Sequence, residues 1–289
     1  MTWQLVIILQ IIASSLMTIY TRHVSLSVKR VFFGVAVLSY VAIAGVGWLY
    51  YSLATGGVMT LPGHEAWLYL LVEGVCIPAA WLVQYRLIAY IGATGAVIVA
   101  MLNTLMAALA GVIFLHDTIT TVSILGGVMI LTGAMIALRL QPDAQHVVHV
   151  PFLLKLTLVV IGAVLYSVGM YAEKLVVNET GPWGYMGFGW SMQAIGAVAL
   201  FTLFGGAELA YLTHSAIRKG VMLGLITSIA GGLYIYALSI GSLSHTIIAI
   251  SGKAALVVVL AAIFLRERNA WPWRIIAIVL TTLGLILFL

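Results

Sequence analysis

The chain has 289 residues, of which 63% are hydrophobic and only 7% are charged. A soluble domain carries about a quarter charged residues, so this composition excludes an ordinary soluble protein and indicates a membrane protein with several spans. The formal net charge is +5. Because the basic residues fall in short loops between apolar runs, they predict membrane orientation and not nucleic-acid binding.

Apolar runs of roughly 18 to 25 residues predict ten spans, because each is long enough to cross a bilayer as a helix. The runs are 3–20, 31–53, 66–88, 93–115, 119–138, 152–175, 183–204, 221–240, 245–265 and 271–289. The first run has no basic leader or cleavage site, so we expect it to remain as the first helix. Cys76 lies inside the third run without metal-ligand spacing around it, which indicates packing.

The longest polar break, 139–151, lies near the middle of the chain. Two local alignments support an internal repeat: residues 112–117 align with 262–267 at an offset of 150, and residues 15–22 align with 167–174 at an offset of 152. We therefore predict an all-α integral membrane protein with a five-helix repeat at 1–140, a linker at 141–151 and a second five-helix repeat at 152–289.

Five is an odd number of spans, so the second repeat enters the membrane in the opposite orientation. Inverted repeats of this kind hold the substrate site of many transporters near the midplane. The thirteen basic residues follow an asymmetric pattern, since eleven lie in or beside odd-numbered loops, Lys174 lies beside an even-numbered loop and Lys253 lies inside a span. The positive-inside rule then predicts both termini outside the cytoplasm.

The segments that close the fourth helix of each half share a signature. It reads Phe114-Leu115-His116-Asp117 in the first half and Phe264-Leu265-Arg266-Glu267 in the second, followed by helices with Gly126, Gly127 and Gly133, and then Gly284. With ten short-looped helices in two halves, the chain resembles the drug/metabolite transporter superfamily and its EamA-like members. The resemblance implies a metabolite transporter of a prokaryotic inner membrane that works by alternating access, more often as an exporter.

The chain departs from this family in two respects. Members often carry proline about fourteen positions before the acidic residue of the signature, where this chain has Asn103 and Lys253. Members are also commonly drawn with cytoplasmic termini, against the distribution of basic residues here. The first departure predicts an unusual substrate chemistry.

Lys253 lies in the middle of an apolar span, where a charge costs at least ~2.5 to 3.5 kcal/mol. It therefore needs a partner, a hydrated cavity or a ligand. Glu73 is, on this reading, the one carboxylate well inside a predicted span, at a depth comparable to that of Lys253. Two hypotheses stay open. In the first, Glu73 and Lys253 form a structural ion pair. In the second, Lys253 binds an anionic group in a cavity, while Glu73 tunes the pKa of the lysine or takes a coupling proton.

Other polar and aromatic residues accompany these two charges at helical spacing. The predicted substrate-binding residues are Lys253, Asn103, Glu73, Trp190, Gln193, Tyr234, Tyr166 and Gln84. We interpret Trp183 and Tyr185, near a span end, as members of an interfacial aromatic belt. Asp117 and Glu267 are expected to pair with neighbouring charges at the interface.

The predicted function is secondary transport of a small anionic or zwitterionic solute, such as an amino acid or an organic acid. A flippase of a lipid-linked carrier and a membrane-embedded enzyme are the alternatives, and the sequence shows no catalytic set, metal-ligand motif or cofactor motif for the latter. The expected partners are the solute and the lipid bilayer. Protons are the candidate coupling ion, and a homodimer is an open alternative.

Overall fold

A computed structural model describes residues 2–28, 31–58, 61–115, 120–139, 151–204, 211–241, 243–251, 253–265 and 271–288. The regular secondary structure in these ranges is helical, as the composition predicts. The linker apart from Pro151, and the signature residues His116, Asp117, Arg266 and Glu267, lie outside the described residues, so the expected pairing of the two acidic residues stays a prediction.

Nine helical segments run through these ranges. They are α1 (Trp3–Ser27), α2 (Phe32–Thr55), α3 (His64–Leu115), α4 (Thr121–Arg139), α5 (Phe152–Phe204), α6 (His214–Ile240), α7 (Leu243–Ser251), α8 (Lys253–Phe264) and α9 (Trp271–Phe288). Helix α2 ends at Gly56, whose φ of 64° is a left-handed conformation that favours glycine.

Helix α3 reverses direction within its 52 residues. A straight helix of that length would be about 78 Å long, against a hydrocarbon core of about 30 Å. The Gln84 Nε2 atom donates a hydrogen bond of 3.0 Å to the Ala96 carbonyl, twelve residues further on. Twelve residues of straight helix extend about 18 Å, beyond the reach of a glutamine side chain, so the chain folds back between these two residues.

Helix α5 is likewise two helices joined at a kink. Gly181 has φ 71° and ψ 173°, which no helix accommodates, and Pro182 follows it. Proline suits the first turn of a new helix because it lacks the N–H that would be unsatisfied there. The first part of α5 therefore continues to Thr180, five residues beyond the predicted span end at 175, and this extension matters for the site.

Five segments are long and apolar enough to cross a membrane. They are Trp3–Ser27, Phe33–Thr55, His64–Gln84, Phe152–Leu203 and His214–Ile240, and shorter apolar helices occur at Ile98–Ala107, Ile124–Gly133 and Trp271–Gly284. These features support a membrane protein, while the count of ten spans stays a prediction. The eighth predicted span begins earlier than expected, since α6 starts at His214.

Helices of the first half of the chain pack against helices of the second half. Helix α3 packs along α5, α2 lies against α5 and α6, α1 contacts α6 and α8, and α4 pairs with α9. Glycines permit the closest approaches: a Cβ on Gly196 of α5 would collide with the Gly74 carbonyl of α3, and a Cβ on Gly284 of α9 would lie 2.6 Å from the Gly126 carbonyl of α4. Small residues at such crossings are typical of membrane helices.

Candidate functional site

A cavity of 180 Å³ lies in the centre of the bundle, lined by residues of both halves. Helices α1, α2 and α3 line it from the first half, and α5, α6, α7 and α8 from the second. Seven of the eight predicted site residues are in its wall: Gln84, Asn103, Tyr166, Trp190, Gln193, Tyr234 and Lys253. The eighth, Glu73, lies behind this wall.

The cavity lining repeats along the chain. At an offset of 152 residues, Ser14, Thr18 and Thr21 correspond to Tyr166, Met170 and Glu173. At an offset of 150, Tyr40, Ile43, Ile77, Ala80, Trp81, Gln84, Ala100 and Asn103 correspond to Trp190, Gln193, Thr227, Ala230, Gly231, Tyr234, Ile250 and Lys253. These eleven pairs make up 22 of the 28 lining residues, and the offsets are the two that the sequence alignment gave.

The paired positions differ in chemistry, so the cavity is symmetric in position but asymmetric in charge. Ser14 and Thr21 of α1 correspond to Tyr166 and Glu173 of α5, and Asn103 corresponds to Lys253. Within the described lining, Lys253 is the one basic side chain and Glu173 the one carboxylate. Both charges are supplied by the second half of the chain.

Lys253 is the first residue of α8. The Ser15 hydroxyl of α1 donates to the Ile11 carbonyl at 2.7 Å and also lies 3.5 Å from the Lys253 carbonyl. This contact brings α8 against the first half of the chain.

Glu73 is completely buried between α3 and α5. Its Oε1 atom accepts hydrogen bonds from the Tyr185 hydroxyl and from Gln193 Nε2, the latter at 2.6 Å. Gln193 Nε2 also donates to the Tyr185 oxygen at 2.9 Å. The other carboxylate oxygen, Oε2, is buried without a hydrogen-bond partner among the described residues.

The hypothetical ion pair between Glu73 and Lys253 does not form in the part of the chain that the structure describes. The Glu73 carboxylate is instead held by neutral donors on α5, and Oε2 has no partner. Lys253 faces the cavity. The described structure therefore does not support the ion pair, and ligand binding by Lys253 stays a prediction.

Glu173 is a site residue that the sequence analysis missed. It is 4% exposed, lines the cavity and interacts with the Tyr185 and Tyr234 hydroxyls and with the Glu73 carboxylate. The interpretation of Glu73 as the one carboxylate deep in a span is wrong, because the first part of α5 continues to Thr180 and carries Glu173 well inside it. The pair Gly181-Pro182 was the signal for the true helix end.

Tyr185 is not part of an interfacial belt. It is fully buried and connects the two carboxylates through its hydroxyl. The belt interpretation was wrong because the kink at Gly181 turns the start of the second part of α5 into the bundle. Trp183, which is 40% exposed, packs its ring 6.2 Å from that of Tyr236.

The aromatic wall is built on small residues opposite it. Trp190 packs over Gly231, where a Cβ would lie 3.3 Å from the indole. The Tyr234 hydroxyl lies 3.7 Å from the Met170 sulfur. Gln84 lines the cavity but uses its amide N–H on the Ala96 carbonyl, so part of its role is to hold the reversal of α3.

A polar stripe on α1 also went unrecognised. Gln10, Ser14, Thr18 and Thr21 are spaced by four, four and three residues, the spacing of one helix face, and all four line the cavity. The spacing was readable in the sequence. The Ser14, Thr18 and Thr21 hydroxyls donate to carbonyls of the preceding turn of their own helix.

Comparison with known proteins agrees with this architecture. Residues 1–139 match the model of the EamA-like transporter family, which is part of the drug/metabolite transporter superfamily. The resemblance to the EamA-like family is confirmed. Members of this family are transporters. No curated protein sequence matches the chain.

A known fold aligns with nearly the full length of the chain. A crystal structure of another protein aligns with 96% of this chain and 97% of its own, with a TM-score of 0.65 and 15% sequence identity. At this identity the likeness concerns the fold alone. It extends through the second half, which the family match does not reach.

Proposed function

We propose that this EamA-like protein is a secondary transporter that moves a small anionic or zwitterionic solute, such as an amino acid or an organic acid, across the inner membrane by alternating access. The observation that carries the proposal is the central cavity with Lys253 as its one basic side chain among the described lining residues. An ammonium within a membrane span is costly without an ion-pair partner, and an anionic ligand would offset that cost.

Lys253 binds the anionic group of the solute. Asn103, at the corresponding position of the first half, donates a hydrogen bond to the same solute from the opposite wall. Trp190, Tyr166 and Tyr234 contact its apolar part, and Gln193 and Gln84 contribute polar edges.

Alternating access follows from two inverted five-helix repeats, at 1–140 and 152–289, which together supply ten spans. The recurrence of cavity residues at offsets of 150 and 152 supports this division. The reversal of α3 and the kink of α5 each supply two spans from one continuous segment. Repeats of opposite orientation can exchange conformations, which would open the same site to each side in turn.

We further infer that protons are the coupling ion and that Glu73 carries them. This carboxylate is buried behind the cavity wall, and its Oε2 atom is available to accept a proton. Tyr185 and Gln193 connect it to the cavity surface. In proteoliposomes, Glu73→Gln should bind solute but respond no longer to an imposed pH gradient; transport by this variant that still follows the gradient would reject Glu73 as the carrier.

A binding screen tests the proposed substrate class. Purified protein is titrated with amino acids and organic acids, and stabilisation is read as a shift in Tm. Lys253→Gln should lose the shift for carboxylate-bearing solutes, whereas Arg218→Gln, an exposed basic residue remote from the cavity lining, should retain it. Equal shifts for the intact protein and Lys253→Gln would disprove the anchoring role of the lysine.

A further inference from the structure

Glu173 presents the cavity with a carboxylate that the proposed anion site does not use. It is 4% exposed, and its Oε1 atom has no hydrogen-bond partner among the described residues. A buried carboxylate without a cation is costly, and the cost rises with a second carboxylate nearby. Glu73 is that second carboxylate, and the two interact electrostatically.

The hydroxyl groups around Glu173 cannot satisfy both carboxylates. A tyrosine has one O–H to donate, and Tyr185 donates its own to Glu73. Gln193 directs an N–H to Glu73 and an N–H to the Tyr185 oxygen. The donors on the second part of α5 are therefore committed to Glu73. The Tyr234 hydroxyl of α6 interacts with Glu173, whose Oε1 atom still has no hydrogen-bond partner among the described residues.

Other acceptors in the same cavity also lack a donor. Gln10 Oε1 and Thr227 Oγ1 line the cavity, are buried and have no partner within the described ranges. Three buried oxygen atoms of the cavity-lining residues, from three different helices, thus have no hydrogen-bond donor among the described residues. A primary ammonium has three N–H donors in a compact group.

The remaining surroundings of Glu173 also suit a cation. Tyr166, Tyr234 and Trp190 line the cavity with it, and aromatic faces attract ammonium groups. No basic side chain of the described chain forms an ion pair with either carboxylate. The adjacent Lys174 directs its Nζ atom to the Leu238 and Gly241 carbonyls, at 2.9 and 3.3 Å, at the end of α6.

We propose that Glu173 binds the ammonium group of the transported solute, while Lys253 binds its carboxylate. The site thereby selects a solute that carries a primary amine and a carboxylate together. This inference rests on the proposed transport function and narrows its substrate class. It makes Glu173 a specificity-determining residue, because a carboxylate in the cavity repels a solute that has only an anionic group.

Three probes that share a phenyl ring and differ in their charged groups test the assignment: 2-phenylethylamine, 3-phenylpropionate and phenylalanine. The aromatic wall can accept the ring in each case. Binding to the purified full chain is measured by calorimetry for the intact protein, Glu173→Gln, Glu173→Asp and Lys253→Gln. Glu179→Gln is the matched control, because Glu179 lies on the same part of α5 and accepts from the Gly63 N–H, away from the cavity.

Glu173→Gln should weaken 2-phenylethylamine at least about ten-fold, since a charge-assisted hydrogen bond becomes a neutral one. The affinity of Glu173→Asp for 2-phenylethylamine should lie between those of the intact protein and Glu173→Gln. The affinity of Glu179→Gln should match that of the intact protein. Unchanged affinity for 2-phenylethylamine in Glu173→Gln, or no binding of this amine to the intact protein, would overturn the assignment.

Binding of 3-phenylpropionate, the probe with a carboxylate alone, distinguishes a failure of this inference from a failure of the proposed function. Lys253→Gln should weaken 3-phenylpropionate while leaving 2-phenylethylamine bound, and phenylalanine should lose affinity in both variants. If Lys253→Gln has no effect on 3-phenylpropionate but Glu173→Gln still weakens the amine, the lysine anchor fails and the ammonium site stands. If Lys253→Gln weakens 3-phenylpropionate but Glu173→Gln leaves the affinity for 2-phenylethylamine unchanged, the ammonium site is rejected and the anion site is retained.

Discussion

The Tyr185 hydroxyl donates its hydrogen bond to the Glu73 carboxylate, across 112 residues of sequence. The same tyrosine interacts with Glu173, so one side chain connects a carboxylate behind the cavity wall with a carboxylate that lines it. The second part of α5 supplies the connection because the Gly181-Pro182 kink directs Tyr185 inward. This relationship links the folding of α5 to the chemistry of the site.

Tyr185→Phe should destabilise the protein by about 1 to 3 kcal/mol, because it leaves a buried carboxylate with one donor fewer. The measurement is unfolding in detergent. Glu73→Gln in the Tyr185→Phe background should recover part of the loss, since an amide costs less to bury than a carboxylate. Tyr211→Phe, the same change at a tyrosine that is 59% exposed, is the control. Equal losses in the single and double variants would contradict the hydrogen-bond account.

A double-mutant cycle tests the absence of a Glu73–Lys253 ion pair. Since Glu73 is held by Tyr185 and Gln193, the effects of Glu73→Gln and Lys253→Met on unfolding free energy should add to within about 0.5 kcal/mol. A direct buried pair would instead give a strong coupling, because removing either partner would strand the other charge. A coupling energy above 1.5 kcal/mol, on the scale of direct charge pairs, would contradict the observed arrangement.

Much of this architecture is readable from the sequence, because membranes impose length and polarity on every helix. Long apolar runs locate most helix ends to within a few residues, and the high cost of intramembrane charge identifies Lys253 as a cavity residue. The offset of 150 predicts its correspondence to Asn103. These features depend on local composition and on a repeat, both of which are visible in one dimension.

The missed features depend on contacts between distant segments. Glu173 and Lys174 resembled a charged helix end, whereas the helix continues to Gly181 and its neighbours on other helices decide which charge is buried. Tyr185 has an amphipathic side chain that fits a belt or a core equally well. Only the packing of α3 against α5 decides in favour of the core.

The reversal of α3 predicts that its middle reaches the membrane surface. A Cys76→Ala background removes the one native cysteine, after which Arg86→Cys, at an exposed position, can be labelled with a membrane-impermeant thiol reagent. Labelling should occur from the cytoplasmic side alone, while Leu61→Cys, 70% exposed before α3, should label from the opposite side. Labelling of both positions from one side would contradict a membrane crossing by the first part of α3.

The distribution of basic residues predicts the position of the C-terminus. Eleven of the thirteen lysines and arginines lie in or beside odd-numbered loops, so a reporter fused after Leu289 should lie outside the cytoplasm. Alkaline phosphatase fused there should be active and a fluorescent protein exported in the same way should be dark. Cytoplasmic fluorescence would show that the C-terminus lies in the cytoplasm, so the predicted orientation would be wrong while the fold would be unaffected.

The paired cavity positions predict that the anion anchor can be moved between the halves. Asn103 and Lys253 occupy corresponding places, 150 residues apart, and both line the cavity. Lys253→Asn should lose most binding of 3-phenylpropionate, and adding Asn103→Lys should restore a part of it, because the ammonium returns to the cavity from the other wall. Recovery should be incomplete, since the lysine at position 103 would reach the solute from another helix of the cavity wall. Calorimetry on both variants provides the measurement, with Asn103→Gln in the Lys253→Asn background as the uncharged control. Equal binding by the charged and uncharged double variants, both folded, would mean that corresponding sequence positions do not present equivalent surfaces to the solute.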